Sequence, residues 1–341
     1  MDLLPTSEQQ QIIDNAAAFI GDRLPLSRLR GLLLRVETPS PETWKQLSDL
    51  GWLALGLEAS AGGVGYGPME EVLLFRELGR VVAPPRILFT VAAAHAAAAA
   101  GDTALAERLS LGAAPVALAV REDFNAPSGT IGLRRVYETE GATVALAIDG
   151  DDVWLLDISS AALPPRPCLD SSISMSVADL DALPVLCHVT DPAIGLRAAL
   201  LLSAYQVGSA ETAVEMIVDY AKVRQTFGRP IGAYQAVRHP CAEMSCRAVE
   251  ARALVFLASV SLSDGAPDAA LQISAACALA EAAARQNADD NIQLHGGIGV
   301  TAEFDAHHLI KRAVVSAQWF GDRRSHLARV LSTPISLEVA S

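Results

Sequence analysis

Aromatic residues make up only 5% of this 341-residue chain, and its five cysteines, Cys168, Cys187, Cys241, Cys246 and Cys277, are odd in number and scattered. They show neither C-x-x-C spacing nor the paired framework of small secreted domains, which excludes a disulfide-stapled fold and fits a reducing cytoplasm. Basic residues are also in short supply: 26 Lys and Arg against 39 Asp and Glu leave a formal charge of -13. That balance repels phosphate backbones and anionic lipid, so neither nucleic acid nor a membrane surface is an expected partner. Long apolar runs are missing. The most membrane-like stretch, residues 91–100, is mostly alanine and is interrupted by His95. It falls well short of the roughly 20 apolar residues a span needs and reads as a packed helix. No export signal is visible: the first ten residues are polar, and Ser7 followed by Gln10 has the spacing of a helix-capping pair. No repeat at 20 to 50 residues is present, which argues against a solenoid or propeller.

What is abundant is apolar, at 51% of residues, enough to bury a large core in two or three domains. Over residues 1–112 apolar positions recur three and four apart, as in residues 70–78 and 104–111, and predict a helical domain. A glycine-dense loop, Gly62-Gly63-Val64-Gly65, follows Gly51-Trp52-Leu53, and Pro84-Pro85 stops the next helix. Over residues 113–190 the texture changes to alternating β-branched and small residues, clearest in 116–120, 143–148 and 153–156. These predict a small β domain. Helical periodicity returns after Pro192, broken at 228–232, 263–267 and 295–299, and predicts a carboxy-terminal helical bundle over residues 191–341.

Two of those breaks carry chemistry. The first is Arg224-Gln225-Thr226-Phe227-Gly228-Arg229-Pro230-Ile231, with Gln235 just beyond. Lys222 and Arg224 complement a helix carboxy terminus, and Gly228 with Pro230 stops it. Arg224 also offers a planar fork of donors to a pyrophosphate, and Phe227 an aromatic face to a purine or flavin ring. The second is Gln293-Leu294-His295-Gly296-Gly297-Ile298-Gly299. Its glycines lack the Cβ atoms that would hold a phosphate away from the backbone, although a plain turn between helices uses glycine too.

Together these two stretches, about 65 residues apart in a helical region, resemble the acyl-CoA dehydrogenases. Gly51-Trp52-Leu53, the Gly62 to Gly65 loop and Glu77-Leu78-Gly79 are similar to that family's amino-terminal domain, and the α, β, α order covers the whole chain. The resemblance implies an α+β fold with an amino-terminal helical domain, a middle β domain and a carboxy-terminal four-helix bundle. It also implies FAD as cofactor, an acyl-CoA thioester as substrate and an electron-transfer flavoprotein as acceptor. Carried over position by position, it assigns Arg224, Thr226, Phe227, Gln293, Gly296 and Gly297, with Gln235 as a weaker addition, to the FAD of a neighbouring subunit.

The pattern fails where the family removes a proton from the acyl α-carbon. Its glutamate sits in a Glu-Gly-Thr loop about two dozen residues after the glycine cluster, where this chain has Phe320-Gly321-Asp322. The family's alternative position, 26 residues before the arginine, is Ala198. Neither side chain accepts a proton. Asp322 remains a weak candidate base, one methylene short and at the family's threonine position. Glu303 matches a structural glutamate. The family's own-flavin stretch in the β domain is represented only by Ala119-Val120-Arg121-Glu122-Asp123-Phe124, Trp154 does not replace a second one, and the β region is short at about 75 residues.

The losses fall on one side of the cofactor, which predicts a base-lacking subunit that completes the FAD site of a homologous catalytic partner. Bacterial α2β2 enzymes acting on bulky acyl-CoAs, such as those of steroid side-chain breakdown, resemble this arrangement. The alternatives are a self-sufficient dehydrogenase or oxidase using Asp322, and a non-catalytic scaffold. His307 and His308 are adjacent rather than three or four apart, so no metal site is expected. The basic pairs Lys311-Arg312 and Arg323-Arg324 read as solvated helix surface.

Overall fold

A computed structural model describes residues 4–32, 35–122 and 131–333. The amino-terminal region holds five α-helices: α1 (Ser7–Arg23), α2 (Pro41–Asp49), α3 (Pro68–Arg80), α4 (Arg86–Ala99) and α5 (Thr103–Ser110). The cap of α1 lies one residue earlier than the sequence spacing indicated. Thr6, not Ser7, is the N-cap, and its side chain accepts from the Gln9 backbone while the Gln9 side chain accepts from Thr6. The alanine-rich α4 is buried on nearly every face. Small side chains let it pack against the β-sheet on one side and α6 on another.

That sheet has seven strands in the order β5-β6-β2-β1-β3-β4-β7, with β1 (Val116–Arg121), β2 (Leu133–Tyr137), β3 (Val144–Asp149), β4 (Asp152–Asp157), β5 (Pro165–Arg166), β6 (Met175–Asp179) and β7 (Val185–Thr190). Only β1 and β3 pair in parallel; the rest are antiparallel. Alternation fixes which face meets the helices. Val116, Leu118, Val144 and Leu146 join the main core, whereas Ala117, Ala119, Ala145 and Trp154 form a smaller core on the opposite face.

The carboxy-terminal region is built on α6 (Pro192–Val223), α7 (Gln235–Ser263) and α8 (Ala269–His295), with the short α9 (Ala306–Ser316) and α10 (Arg323–Ser332) both packed on α8. Helices α6 and α8 run parallel. Ser203 Oγ donates to Cys277 Sγ near their start, Asn287 donates to the Ala210 carbonyl further along, and the Tyr220 and His295 rings meet 4.4 Å apart at their ends.

Helix α3 crosses α6 with backbone almost against backbone. A Cβ at Gly79 would lie 1.9 Å from the Tyr205 carbonyl oxygen, and one at Gly208 1.9 Å from that of Arg76. Neither obstacle is a side chain that can swing away. Gly79→Ala is therefore expected to force the helices apart and to destabilise the chain by about 3 kcal/mol or more, read as a lowered urea midpoint; an unchanged midpoint contradicts this crossing.

A buried charge cluster ties the three regions together. Arg312 on α9 donates to Asp170 Oδ2 at 2.7 Å and to Tyr205 Oη at 2.6 Å, while Arg86 on α4 donates to the Glu138 and Glu140 carbonyls. Reading Lys311-Arg312 as solvated surface is thus corrected for Arg312, which is 1% exposed. It lies on the α9 stripe that also carries Leu309, Ala313 and Ser316, the three- and four-residue spacing of a buried face.

Glu138 in this cluster is buried with neither carboxylate oxygen hydrogen-bonded. Burial pushes its pKa up to about 7, against the pull of Arg86 and Arg312. A folded-state value raised above an unfolded value of 4.5 means the folded chain binds more protons between the two. Stability therefore falls as pH rises through that window, by roughly 3 kcal/mol for this one group. Glu138→Gln is expected to remove that loss, so its advantage over the parent grows between pH 5 and pH 7.5 in urea unfolding; a constant difference contradicts the assignment.

Candidate functional site

The end of α6 explains how the first motif is presented. The helix stops at Val223, earlier than Gly228 and Pro230 alone suggest, and the chain turns back as a two-stranded hairpin of β8 (Gln225–Thr226) and β9 (Arg229–Pro230). Its tip is Phe227-Gly228, with φ of 49° and 79°, the two left-handed residues that a tight hairpin turn demands. Glycine adopts that backbone freely, whereas phenylalanine pays for it. Phe227 is nonetheless placed there with its side chain 96% exposed. An apolar ring held on a strained tip in full solvent has no stabilising role within the monomer, and such strain collects at binding sites. Beneath the tip, Tyr234 Oη donates to the Thr226 carbonyl at 3.0 Å and the Arg229 guanidinium lies 4.0 Å over the Tyr234 ring. Arg224 is exposed and makes no ion pair among the described residues.

The second motif caps α8. Gly296 takes φ 68° and ψ -147°, a region open essentially to glycine alone. Gly296 and Gly297 are exposed, and a Cβ on either would meet open space, so a ligand can approach closely here, although the Gly296 N–H is already spent on the Gln293 and Ile292 carbonyls. Gln293 is exposed beside them. His295 is internal instead: its ring lies between Tyr220 and Phe304 and its Nδ1 donates to the Asn291 carbonyl at 2.7 Å. Burial holds its pKa below the ordinary value, and the neutral ring serves as packing. Because Tyr220 is four residues before Arg224 and His295 is next to Gly296, this contact sets both motifs at one end of the bundle. Gln235 opens α7 near the hairpin, also exposed. The residues fit a dinucleotide through a guanidinium without an ion pair for phosphates, an aromatic ring for a base, and glycines that leave space beside them.

The proton-abstraction positions look different. Ala198 on α6 is 1% exposed, inside the core. Phe320, between α9 and α10, is 9% exposed and sits edge-on to Phe89 at 6.4 Å, while the adjoining Trp319 meets Phe89 at 5.1 Å and Tyr137 at 5.9 Å. Beside Phe320 remains a cavity of about 10 Å³ walled by Ser203, Gln206, Glu281 and His326, room for about one water. Asp322 is the N-cap of α10: its Oδ1 accepts from the Ser325 backbone at 2.8 Å and the side chain faces solvent. Sequence reading missed Glu281, a buried carboxylate with Oε2 lacking a hydrogen bond. Its signal was a lone acid within the alanine-rich run of α8.

On the sheet, residues of the degraded own-flavin stretch are engaged with the neighbouring strands β3 and β2. Arg121 pairs with Asp149, and Glu122 pairs with Arg135 at 2.7 Å; Asp123 and Phe124 lie outside the described residues. Trp154 is buried and stacks on His188 at 5.1 Å. Glu303 is exposed. His307 and His308, adjacent on α9, bring their rings within 4.0 Å of each other despite pointing from successive positions.

The family model described as acyl-CoA dehydrogenase, N-terminal domain matches residues 6–112, and that of the C-terminal domain matches residues 197–332. The acyl-CoA dehydrogenase IpdE2 of Mycobacterium tuberculosis is 30% identical over 333 residues, covering 97% of this chain and 98% of its own. The chain belongs to the acyl-CoA dehydrogenase family. Its members oxidise a CH–CH bond as flavoproteins. FadE34 of M. tuberculosis is 32% identical over 86% of this chain, but the match spans only 43% of FadE34. Among solved structures, the ChsE4-ChsE5 complex from M. tuberculosis superposes with a TM-score of 0.84 at 22% identity, covering 98% of this chain and 100% of that one. A variant of the Tcur3481-Tcur3483 steroid ACAD gives 0.80 at 25% identity, covering 95% and 96%.

Proposed function

We propose that this chain is the base-lacking subunit of a heteromeric acyl-CoA dehydrogenase and that it completes the FAD site of a homologous catalytic partner. The observation that carries this reading is an asymmetry. The residues a family member lends to its neighbour are present, gathered at one end of the bundle and, apart from the half-buried Thr226, exposed, whereas both base positions hold apolar side chains buried in the core. FAD, when bound, supplies the hydride acceptor for α,β-dehydrogenation. Arg224 would hold its pyrophosphate as a two-pronged donor, Gly296 and Gly297 would let the cofactor approach the end of α8 closely, and Gln293 would anchor a polar edge. Phe227 covers an aromatic face and shields it from water, with Thr226 and Gln235 completing the rim. The proton on the acyl α-carbon leaves to a glutamate of the partner, because no group beside Phe320 has room for an acyl chain.

Two likenesses support the heteromer. The ChsE4-ChsE5 and Tcur3481-Tcur3483 structures pair two unlike names, and more than half of FadE34 lies outside its match to this chain, space for a second unit of similar size in one polypeptide. The steroid ACAD likeness favours a bulky acyl-CoA as substrate; the acceptor proposed with it is an electron-transfer flavoprotein. Among the described residues no helix is long and apolar enough to cross a membrane. In an α2β2 assembly of this kind only the catalytic chains' sites take FAD, which puts flavin below one per chain.

The test is flavin absorbance, normalised to protein, of the purified chain alone and after co-expression with the homologous acyl-CoA dehydrogenase encoded nearest to it. Flavin only in the complex, at less than one per chain, is expected. Stoichiometric flavin in the chain alone overturns the reading in favour of a self-sufficient enzyme, and a flavin-free complex favours a scaffold.

A further inference from the structure

Two open grooves flank the flavin-contact face. One, of about 600 Å³, runs between the amino-terminal region and α9, walled by Leu29, Leu169, Ile292, Val300, Lys311 and Val314 among others. The second, of about 560 Å³, lies between α6 and α7 beneath the hairpin, walled by Val218, Ala221, Lys222, Val237 and Arg238 among others. Ile292 is three residues before His295 and Val218 two before Tyr220, so each groove lies within a helical turn of the ring contact that joins the two motifs. The first exposes Leu169 by 57%, Val300 by 65% and Val314 by 41%. Contiguous apolar surface of this kind marks an interaction site on a soluble protein.

Charge narrows the occupant. The chain carries -13 overall, yet neither groove wall contains a carboxylate, and both contain cations. Two of these are neutralised within the chain, Arg30 by Asp305 at 2.6 Å and Lys222 by Asp219 at 2.9 Å. Lys311 and Arg238 make no ion pair among the described residues. Each groove thus joins an apolar floor to one uncompensated cation.

We propose that these grooves are the docking seats of the catalytic partner subunit, which fills them with apolar segments whose carboxylates meet Lys311 and Arg238. This rests on the subunit reading above and deepens it by naming where the partner sits and what it presents. Desolvated cation–carboxylate pairs at the seat set register between unlike chains, and the apolar floor holds them together. A second copy of this chain and a small organic acid are the other possible occupants.

The experiment co-expresses the full chain with the homologous acyl-CoA dehydrogenase encoded nearest to it and measures heteromer dissociation by sedimentation, with flavin content read separately. Lys311→Glu with Arg238→Glu, and independently Val300→Asp, are expected to weaken the heteromer about tenfold or more while leaving the melting temperature of the isolated chain unchanged. Arg324→Glu, an exposed reversal outside both grooves, leaves association as it was. Wild-type association of both groove variants overturns the docking seats; loss of flavin from Phe227→Ala in that same intact heteromer would then leave the subunit reading standing. A heteromer that never forms with the parent chain overturns both. A parent homodimer that the groove substitutions dissolve assigns the grooves to a second copy and overturns the proposal, as does heteromer-independent binding of a short-chain carboxylate that Lys311→Glu abolishes.

Discussion

Arg312→Ala is expected to cost about 3–5 kcal/mol of folding stability, most of which comes from what is left behind. Asp170 is buried, and burial alone raises the pKa of its carboxyl; the Arg312 charge overrides this and holds it below the ordinary carboxylate range. Without Arg312 the carboxylate keeps only Ser172, whose Oγ donates at 2.6 Å. The Ala83 carbonyl and Tyr205 Oη each lose a donor as well, at 2.8 and 2.6 Å. Tyr205 is itself pushed up to about 12 by burial, so it stays a neutral phenol and cannot replace the missing charge. Urea unfolding of the variant should show the loss directly, and Asp170→Asn in the Arg312→Ala background should recover part of it because the orphan charge is gone. A loss below about 1 kcal/mol means that Asp170 is not held by this arginine alone.

Restoring the family's base in place should fail. Phe320→Glu puts a carboxylate where a ring packs against Phe89 and beside Trp319, next to a cavity of about 10 Å³. Removing the ring loses its packing, and an ionised carboxyl in that position is desolvated beside Glu281, with Arg323 already facing that carboxylate at 3.8 Å. Together these cost about 3–5 kcal/mol at pH 8. The cost should be smaller at pH 5, where the carboxyl protonates. The variant alone is expected to show no acyl-CoA-dependent bleaching of added FAD. Turnover by the isolated Phe320→Glu chain would mean that the acyl site is open and only the base is missing, contrary to the filled aromatic cluster.

Much of this was legible in the sequence because the informative signals are local. Glycines and prolines mark the ends of α7 and α8 and fall just beyond that of α6, and the order of helical and alternating segments gives the α, β, α plan. Both motifs proposed to meet flavin stood out as residue types, though not the hairpin that raises Phe227 into solvent, which depends on a backbone conformation phenylalanine rarely adopts. Strand β6 and the edge strand β7, whose exposed positions blur alternation, were invisible to periodicity. Arg312 was missed because its charge suggested surface while its spacing with Leu309, Ala313 and Ser316 placed it on the buried stripe. The grooves and the Glu281 cavity come from elements far apart in the chain, and no local pattern announces them.

The central claim, that this chain lends a face to another subunit's cofactor, is tested most directly by flavin retention in the co-purified heteromer carrying Arg224→Ala and Phe227→Ala only in this chain. The account predicts an assembled heteromer that loses FAD on gel filtration about tenfold more readily than the parent, the size expected when a charge-assisted phosphate contact and a ring contact are removed together. Full retention of flavin in an intact heteromer would contradict it.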